Sequence, residues 1–529
     1  MESGLTESRH RLAGAALIMM AAITVSRLTG VLREMVIAYQ FGTGREYEAY
    51  LAGNRIPDFI FQVVAGGAVA SAFIPVFTGY LARNQREEGW KMVSTLFNLG
   101  IAILVPICAL LMAFSPQVIH VIAPEFDSKT SALAADLARV MLLSPIFFTI
   151  GCFVTSVLNS HRKFFLASLA PSVYNVGIIG GALFLAKPFG LYGLALGSAT
   201  GALLFLLVQV PGLVQVRMAY SKILDIHHPG VRQVGKLMLP RTIGLGVTQI
   251  NYFVTLILAS GLAERYAALN YAWTLTMMPL GIFAMAISTA VFPTLATQGA
   301  LDQMADLRRT MTGALRLILY LTIPASVGLI VLRYPIIQLL FQRGLFDASS
   351  TEWTAFALQF YAAALFAQSA TEIVTRAFYA LQDTRTPVIV AVATMVVNVA
   401  LSLILVQFLS HGGLALATSI AVTLEALTLL YIARRRLGGL GEQRLFSSVV
   451  KTSIAAVLMG VVVIWFAGYL ALYLDSFNLP QLANRLLFVG ASILVGAASY
   501  LAFSFILRSE ELMQVRGMLA TRLRRDSRH

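Results

Sequence analysis

The sequence predicts an all-α polytopic membrane protein with about 14 transmembrane helices. Of its 529 residues, 58% are hydrophobic and only 12% are charged. Soluble domains carry about 25% charged residues. The apolar stretches reach the ~20 residues that a spanning helix needs. They are continuous and do not alternate with polar positions, which favours a helical bundle over a membrane barrel.

The predicted helices follow one another with short connections. After a polar cytoplasmic lead (1–11), six helices fall near 12–41, 46–81, 90–115, 131–158, 164–186 and 189–217. A polar cytoplasmic link (219–231) precedes six more, near 232–261, 264–297, 303–332, 350–380, 386–409 and 412–434. Two additional helices (446–508) and a basic cytoplasmic tail (509–529) end the chain. Gly30 marks a bend in the long first helix, and Pro57 and Pro75 free backbone carbonyls in the second.

The net charge of +14 would indicate nucleic acid in a soluble protein. Here lysine and arginine concentrate in alternate loops, as the positive-inside rule describes. One set of loops holds Arg83, Arg86, Lys91, Arg162, Lys163, Lys222, Arg308, Arg309, Arg385, Arg434, Arg435 and Arg436. We therefore predict no nucleic-acid partner, an even number of spans and cytoplasmic termini.

The chain contains a six-helix unit twice, at an offset of about 220 residues. Pro75 corresponds to Pro293, and Asp127 to Asp347. Further matches are Pro106 with Pro324, Pro116 with Pro335, Arg162 with Arg385, Asn175 with Asn398, and GLALGSA (193–199) with GLALATS (413–419). Because six is even, both copies enter the membrane from the same side. The pattern predicts parallel N-terminal (12–218) and C-terminal (232–435) lobes that rock around a midplane site.

Charged residues interrupt the first two apolar segments. The stretch from Ser26 to Asp58 carries Arg27, Arg33, Glu34, Glu48, Arg55 and Asp58. A charge at the bilayer centre costs at least about 2.5 kcal/mol. These side chains must therefore face protein or a wet cavity.

An ordered set of motifs over most of residues 20–435 resembles one family. The motifs are SRLTGVLRE, AFIPVF, TQIN (248–251), YAW…P…AVFPTLA (271–297), LFQRGLFD (340–347) and FYALQDTRTPV (378–388). They are similar to the MurJ (MviN) branch of the multidrug/oligosaccharidyl-lipid/polysaccharide exporter superfamily. The resemblance implies a flippase of the bacterial cytoplasmic membrane. It would move lipid II, the undecaprenyl-pyrophosphate-linked disaccharide-peptide, to the outer leaflet for peptidoglycan synthesis.

The resemblance also implies a cargo site. Arg27, Arg33 and Arg55 match cationic positions of the family, and arginine forks suit phosphate oxygens. Glu34 and Glu48 stand where the family tends to have acids, and with Asp58 we expect them to support the arginines. The alternatives are that Arg33 only pairs with Glu34 or Glu48 between helices, that Arg55 extends to the interface, and that Asp58 caps freed backbone groups. The sequence departs from the family pattern at two positions, where Phe61 and Thr274 replace expected arginines. Arg241 is our candidate to replace a cation lost in this way.

Some family members bind sodium through helices seven and eleven. The corresponding positions here are Thr255, Asn398 and Ser402, which offer no carboxylate and argue against a sodium site. Glu372 and Glu425 lie in apolar helices and are candidate proton-linked groups. The alternative is that Glu372 pairs with Arg376 or that these acids lie near an interface.

The sequence shows no nucleotide-binding motif, no catalytic motif and no metal-ligand spacing. We predict a transporter without cofactor or metal, a monomer in contact with membrane lipids. A drug-cation exporter would need acidic walls in place of arginines. Two alternatives stay open: a flippase for another polyprenyl-pyrophosphate-linked glycan, and a non-transporting membrane scaffold in cell-wall assembly.

Two loop motifs predict local structure. In QDTRTP, Asp383 and Thr384 can cap and Pro387 suits a first helical turn, which predicts a tight cytoplasmic turn. Ser349-x-x-Glu352 has the spacing of a capping box.

Overall fold

The computed structural model describes residues 24–64, 68–161, 163–474 and 480–512. All regular elements in these ranges are helical. Ten helices in this part of the chain are long and apolar enough to cross a membrane, so the protein is a multi-span helical membrane protein. The predicted total of about 14 stays a prediction. The predicted lead 1–11, Arg162 and residues 513–529 of the predicted tail lie outside the described residues.

The described chain divides into two compact units. The first comprises the described residues up to Ala267 together with Gly344–Phe346. Its helices are α1 (24–41), α2 (Arg45–Val64), α3 (Ala68–Ala82), α4 (Arg86–Ala113), α5 (Ser115–Ile122), α6 (Ser128–Met141), α7 (Ser144–Ser160), α8 (Phe164–Gly180), α9 (Ala186–Phe189), α10 (Leu191–Leu207), α11 (Val210–Gln215) and α12 (Pro229–Ala259). A π-helical turn, Gly181–Leu185, joins α8 to α9.

Small residues bring α8 and α10 into backbone contact. A Cβ atom added to Gly177 would meet the Cα atom of Gly201, and one added to Gly197 would lie 2.8 Å from the Cα atom of Gly181. Close approach of this kind is how helices associate in lipid, where apolar surface alone gives little driving force. The contact fixes α8, and with it the polar side chains that α8 presents to α1.

The second unit comprises Ala268–Arg343 and the described residues from Asp347 onward. After α13 (Arg265–Pro279), which starts in the first unit, and a π-helical segment (Leu280–Met285), the helices are α14 (Ala286–Ala300), α15 (Met304–Val331), α16 (Arg333–Leu340), α17 (Ala348–Ala363), α18 (Leu365–Ala380), α19 (Arg385–Leu409), α20 (His411–Arg436), α21 (Glu442–Leu474) and α22 (Gln481–Ile506). Its buried core runs through α15, α18, α20 and α21.

The internal repeat reappears as matching helices. A 28-residue helix with an internal proline is followed by an 8-residue helix in both units: α4 and α5 with Pro106, α15 and α16 with Pro324. Asp127 then caps α6 and Asp347 caps α17. The predicted repeat thus has a counterpart in the order and length of the elements.

Contacts within the second unit tie the last two helices to α15 and α16. Arg316 on α15 pairs with Glu511 at 2.5 Å, and Glu511 also accepts a hydrogen bond from Ser448 on α21 at 2.7 Å. At the other end, Arg485 on α22 donates to the carbonyl oxygens of Gln338 and Gln342 at 2.8 Å each. The additional helices therefore pack as part of the second unit.

Of three further local expectations, the structure contradicts one and leaves two untested. The predicted single helix 46–81 is described as α2 and α3, on either side of residues 65–67, which lie outside the described residues. The predicted capping box at Ser349 is wrong: the carboxylate of Asp347 accepts the N–H of Ser350 at 2.7 Å and is the cap. The predicted lobe boundary at 232 stays a prediction, while α12 packs against α2 and α3 and belongs to the first unit.

The QDTRTP segment forms the expected tight turn. Asp383 Oδ1 accepts the backbone N–H groups of Arg385 and Thr386 at 3.0 Å each. Asp383 also forms an ion pair with Arg436 at the end of α20. Burial acts to raise the pKa of Asp383, but hydrogen bonds from Thr386 and the charge of Arg436 outweigh it and hold that pKa below its ordinary value.

Candidate functional site

Arg33 lies on α1, where its guanidinium joins two helices of the first unit. Its Nε and Nη2 atoms donate to Glu34 Oε1 at 3.2 and 2.6 Å. Its Nη1 atom donates to the Asn175 side chain on α8 at 3.0 Å. These contacts use three of the five N–H donors of the guanidinium. The other two donors bond to none of the described residues, and the side chain is 27% exposed.

Asn175 holds the arginine and the start of α1 together. Its Nδ2 atom donates to the Ser26 carbonyl oxygen at 3.3 Å and to Thr29 Oγ1 at 3.2 Å, while its Oδ1 atom accepts from Arg33. Asn175 is buried. One amide thereby fixes both the position of α1 and the orientation of the guanidinium that α1 carries.

Glu34 is the most deeply buried charge near Arg33. Its side chain is 6% exposed, and its second oxygen, Oε2, is buried with no hydrogen-bond partner among the described residues. Two phenols face the same region: the buried Tyr50 on α2, whose hydroxyl lies 2.8 Å from Ser198 Oγ, and the partly buried Tyr174 on α8. Leaving a buried polar atom without a hydrogen-bond partner costs about 1–3 kcal/mol, and the cost is higher for a charged group such as a carboxylate.

Arg55 lies three turns along α2 from the start of that helix and is engaged within the first unit. It pairs with Asp58 at 3.3 Å, donates to the Tyr266 hydroxyl at 3.1 Å and lies 4.9 Å from the centre of the Tyr252 ring. Its Nε atom is buried without a hydrogen-bond partner among the described residues. The predicted support of Arg55 by Asp58 is present as this ion pair, whereas contact of Arg55 with cargo stays a prediction.

Glu48 occupies a separate polar cluster. Its carboxylate is fully buried, accepts the backbone N–H of Tyr266 at 2.8 Å and pairs with Arg45 at 3.3 Å. Arg45 also donates to the Ser260 carbonyl oxygen at 3.0 Å. Glu48 thus caps the start of α13, where a negative charge is favoured by the exposed N–H groups. Of the two acidic partners considered for Arg33, the structure pairs it with Glu34.

The remaining positions of the predicted cationic site have different surroundings in the structure. Arg27 lies exposed on α1. Phe61, which replaces an expected arginine, packs against Phe148 with ring centres 4.7 Å apart. Thr274 donates to the Asn270 carbonyl oxygen at 3.0 Å inside its own helix. Arg241 belongs to α12, but its side chain lies outside the described part of the structure, so its role stays a prediction.

The candidate ion-coupling residues fall in both units. Thr255 in the first unit donates to the carbonyl oxygen one turn back, at 2.9 Å. In the second unit Asn398 and Ser402 are buried one turn apart on α19, and Ser402 Oγ donates to Asn398 Oδ1 at 3.4 Å. Glu372 Oε2 lies 3.9 Å from Arg376 Nη2 on α18. The role of these residues in ion coupling stays a prediction. Glu425, on the adjoining α20, interacts electrostatically with Glu372.

Sequence reasoning missed the partners that orient Arg33. Asn175 entered only as a repeat landmark, and Tyr50 and Tyr174 did not enter at all. The one available signal was a lone asparagine inside the apolar α8 segment, because a polar side chain in a spanning helix needs a partner. Which partner it finds depends on packing between helices 142 residues apart.

Comparison with solved structures first gives the fold. The fold matches an inward-facing multidrug resistance MATE family transporter of the MOP superfamily, with a TM-score of 0.67 at 15% identity, over 81% of this chain and 99% of that one. The chain therefore shares the fold of that transporter. A structure of the lipid II flippase MurJ in an inward closed conformation matches with a TM-score of 0.78 at 27% identity, over 93% of this chain and 99% of that one.

Sequence comparison gives the family. Residues 37–483 match the family model for the lipid II flippase MurJ. A probable lipid II flippase MurJ of Haemophilus influenzae is 32% identical over 471 residues, covering 84% of this chain and 90% of the relative. A lipid II flippase MurJ of Burkholderia cenocepacia is 29% identical, covering 80% and 84%. The chain belongs to the MurJ family, as its motifs predict.

Proposed function

We propose that this protein is a flippase that moves lipid II from the inner to the outer leaflet of the bacterial cytoplasmic membrane by alternating access. Family membership supports the cargo. The observation that carries the proposal in this chain is Arg33, a guanidinium held by Glu34 on α1 and Asn175 on α8, with two N–H donors that bond to none of the described residues. A phosphate group accepts such donors in pairs.

The proposal includes the surroundings of the site. Arg27 and Arg55 add positive charge along α1 and α2, with Arg241 on α12 as the substitute for the arginines replaced by Phe61 and Thr274. Both termini lie in the cytoplasm, the protein acts as a monomer, and it carries out no covalent chemistry. Glu34 and Asp58 balance the arginines while no cargo is bound.

Two assays together test the proposal. One is growth of a flippase-depleted strain that carries the protein, and the other is transport of lipid II in proteoliposomes. The wild-type chain should restore growth and transport, and Arg33→Ala should lose both. Arg33→Lys should retain only part, because an ammonium keeps the charge and loses the planar fork. Arg139→Ala is the matched control, since Arg139 is an exposed arginine of the same unit in a surface ion pair.

The alternatives predict other results. If Arg33→Ala restores growth as well as the wild type, the cargo does not depend on this guanidinium and a scaffold role is favoured. If the purified protein prefers another undecaprenyl-pyrophosphate-linked glycan over lipid II, the cargo assignment is wrong while the transport class stands.

A further inference from the structure

We propose that Glu34 takes up a proton when the anionic cargo binds to Arg33, so that cargo binding is linked to protonation at this one carboxylate. The inference rests on the proposed function and deepens it. Its basis is the arrangement of one cation and one buried carboxylate, of which only one oxygen has a hydrogen-bond donor among the described residues. The Glu34 carboxylate is thus a site for a proton, next to the proposed site for the cargo.

Charge balance gives the first reason. In the empty site the charge of Glu34 is matched by that of Arg33 at 2.6 Å. A pyrophosphate brings two further negative charges to the same guanidinium. Whether it displaces Glu34 or shares the two remaining donors, the one guanidinium in contact with Glu34 then serves two anions around a buried carboxylate. Like charges at such a site disfavour the ionised carboxylate, and a proton relieves the repulsion.

The described residues that face Glu34 from the packed helices include no second cation. The titratable groups that face Glu34 from the packed helices are Tyr50 on α2 and Tyr174 on α8, and both are neutral phenols at physiological pH. Asp58 on α2, which interacts with Arg33, is an acid that cannot supply a positive charge, and it is already paired with Arg55. None of these groups can neutralise Glu34 once the cargo engages its partner.

The unpartnered oxygen gives the second reason. Glu34 Oε2 is buried and accepts no hydrogen bond from the described residues, whereas Oε1 accepts both bonds from Arg33. Oε2 is thus the atom at which a proton can add without breaking an existing hydrogen bond. Water reaches the partly exposed Arg33 side chain next to it and can deliver the proton. The loaded site would also carry one negative charge fewer through the membrane, which lowers the cost of the passage.

The linkage has a definite sign. If the loaded state binds one proton more than the empty state, affinity for cargo rises as pH falls, by at most about tenfold per pH unit. Lipid II binding to the purified full-length protein in nanodiscs would be measured between about pH 5 and pH 8. Proton uptake would be followed with an indicator dye in weak buffer. We expect the wild type to show both the pH-dependent affinity and uptake of up to one proton per bound lipid II.

The decisive variant is Glu34→Gln, which resembles the protonated form. It should bind with an affinity that varies less with pH than that of the wild type, and without the uptake signal. Glu34→Asp should retain both. Titration of the cargo itself is common to all three proteins and cancels in the comparison. Thermal unfolding of each variant shows whether it is folded, and the wild-type uptake measurement needs no variant.

The outcomes separate the two proposals. If wild-type protein binds lipid II with pH-independent affinity and without proton uptake, or if Glu34→Gln keeps the wild-type pH dependence, the proton linkage is wrong and the flippase assignment stands. If wild-type protein binds no lipid II at any pH, the proposed cargo is wrong and the linkage falls with it.

Discussion

Glu48 offers a test of how much one buried carboxylate contributes to the stability of the first unit. Its two oxygens accept the backbone N–H of Tyr266 and the guanidinium of Arg45. Replacing Glu48 by alanine leaves that N–H and that guanidinium without their acceptor. The start of α13 then loses its cap, and the segment between α12 and α13 loses its tie to α2.

The expected size follows from burial. Removing one partner of a buried ion pair costs about 3–5 kcal/mol. The Glu48 side chain is fully buried but that of Arg45 is 30% exposed, so we take the lower end. Each kcal/mol lowers Tm by about 2–4 °C in a unit of this size, which gives an expected fall of about 6–12 °C.

Fluorescence-monitored thermal unfolding in one detergent measures this fall as an apparent Tm. Glu46→Ala is the matched control, because Glu46 lies exposed in the same first turn of α2. It should leave Tm within about 2 °C of the wild type, as surface substitutions do. Glu48→Gln should fall between the two, since it keeps one acceptor and loses the charge. Equal shifts for Glu46→Ala and Glu48→Ala would show that the cap contributes nothing and would refute the reasoning.

Three further predictions concern other contacts. Asn175→Ala removes an acceptor of a charged hydrogen bond worth about 1.5–3 kcal/mol, so lipid II binding should weaken at least about tenfold; unchanged affinity would contradict the positioning role. Gly177→Leu places a side chain against the α10 backbone and should lower the yield of folded protein in size-exclusion chromatography, whereas Gly180→Leu, with open space around it, should not; equal yields would show that this approach is dispensable. The contacts that lower the Asp383 pKa stabilise the fold above the ordinary pKa of an aspartate and are lost as pH falls below about 4. Their contribution is about 1 kcal/mol or less, because the partner Arg436 is exposed to solvent. Asp383→Asn should therefore show a smaller loss of apparent Tm on acidification than the wild type, and an equal loss would count against the ion pair with Arg436.

Much of the fold could be predicted from local patterns. The prolines and aspartates of the repeat act within a few residues of their own positions, so their spacing carries over directly to helices such as α4 and α15. The sequence pattern marks Asp347 only as a repeat landmark and predicts Ser349 as the helix cap. Both residues precede the same helix, and only backbone geometry decides which oxygen meets the free N–H groups.

The candidate site was harder to predict, because its contacts join distant parts of the chain. Glu34 as a neighbour of Arg33 was visible in the sequence. Asn175 as the second partner was not, and neither was the separate assignment of Glu48 to Arg45 and the start of α13. Both Glu34 and Glu48 fit the sequence pattern equally well as partners of Arg33.

The sequence alone determined the class of this protein, the repeat and the presence of charges that lipid cannot accept, because hydrophobic length and charge cost are properties of the chain itself. Tertiary structure decided which charge meets which. Helix packing places Arg33 between Glu34 and Asn175 and Glu48 at a helix cap. In the part of the chain that the structure describes, it leaves one oxygen of Glu34 without a donor. The physical reason is that hydrogen bonds act over about 3 Å, and only the packing of helices far apart in sequence brings their side chains within that distance.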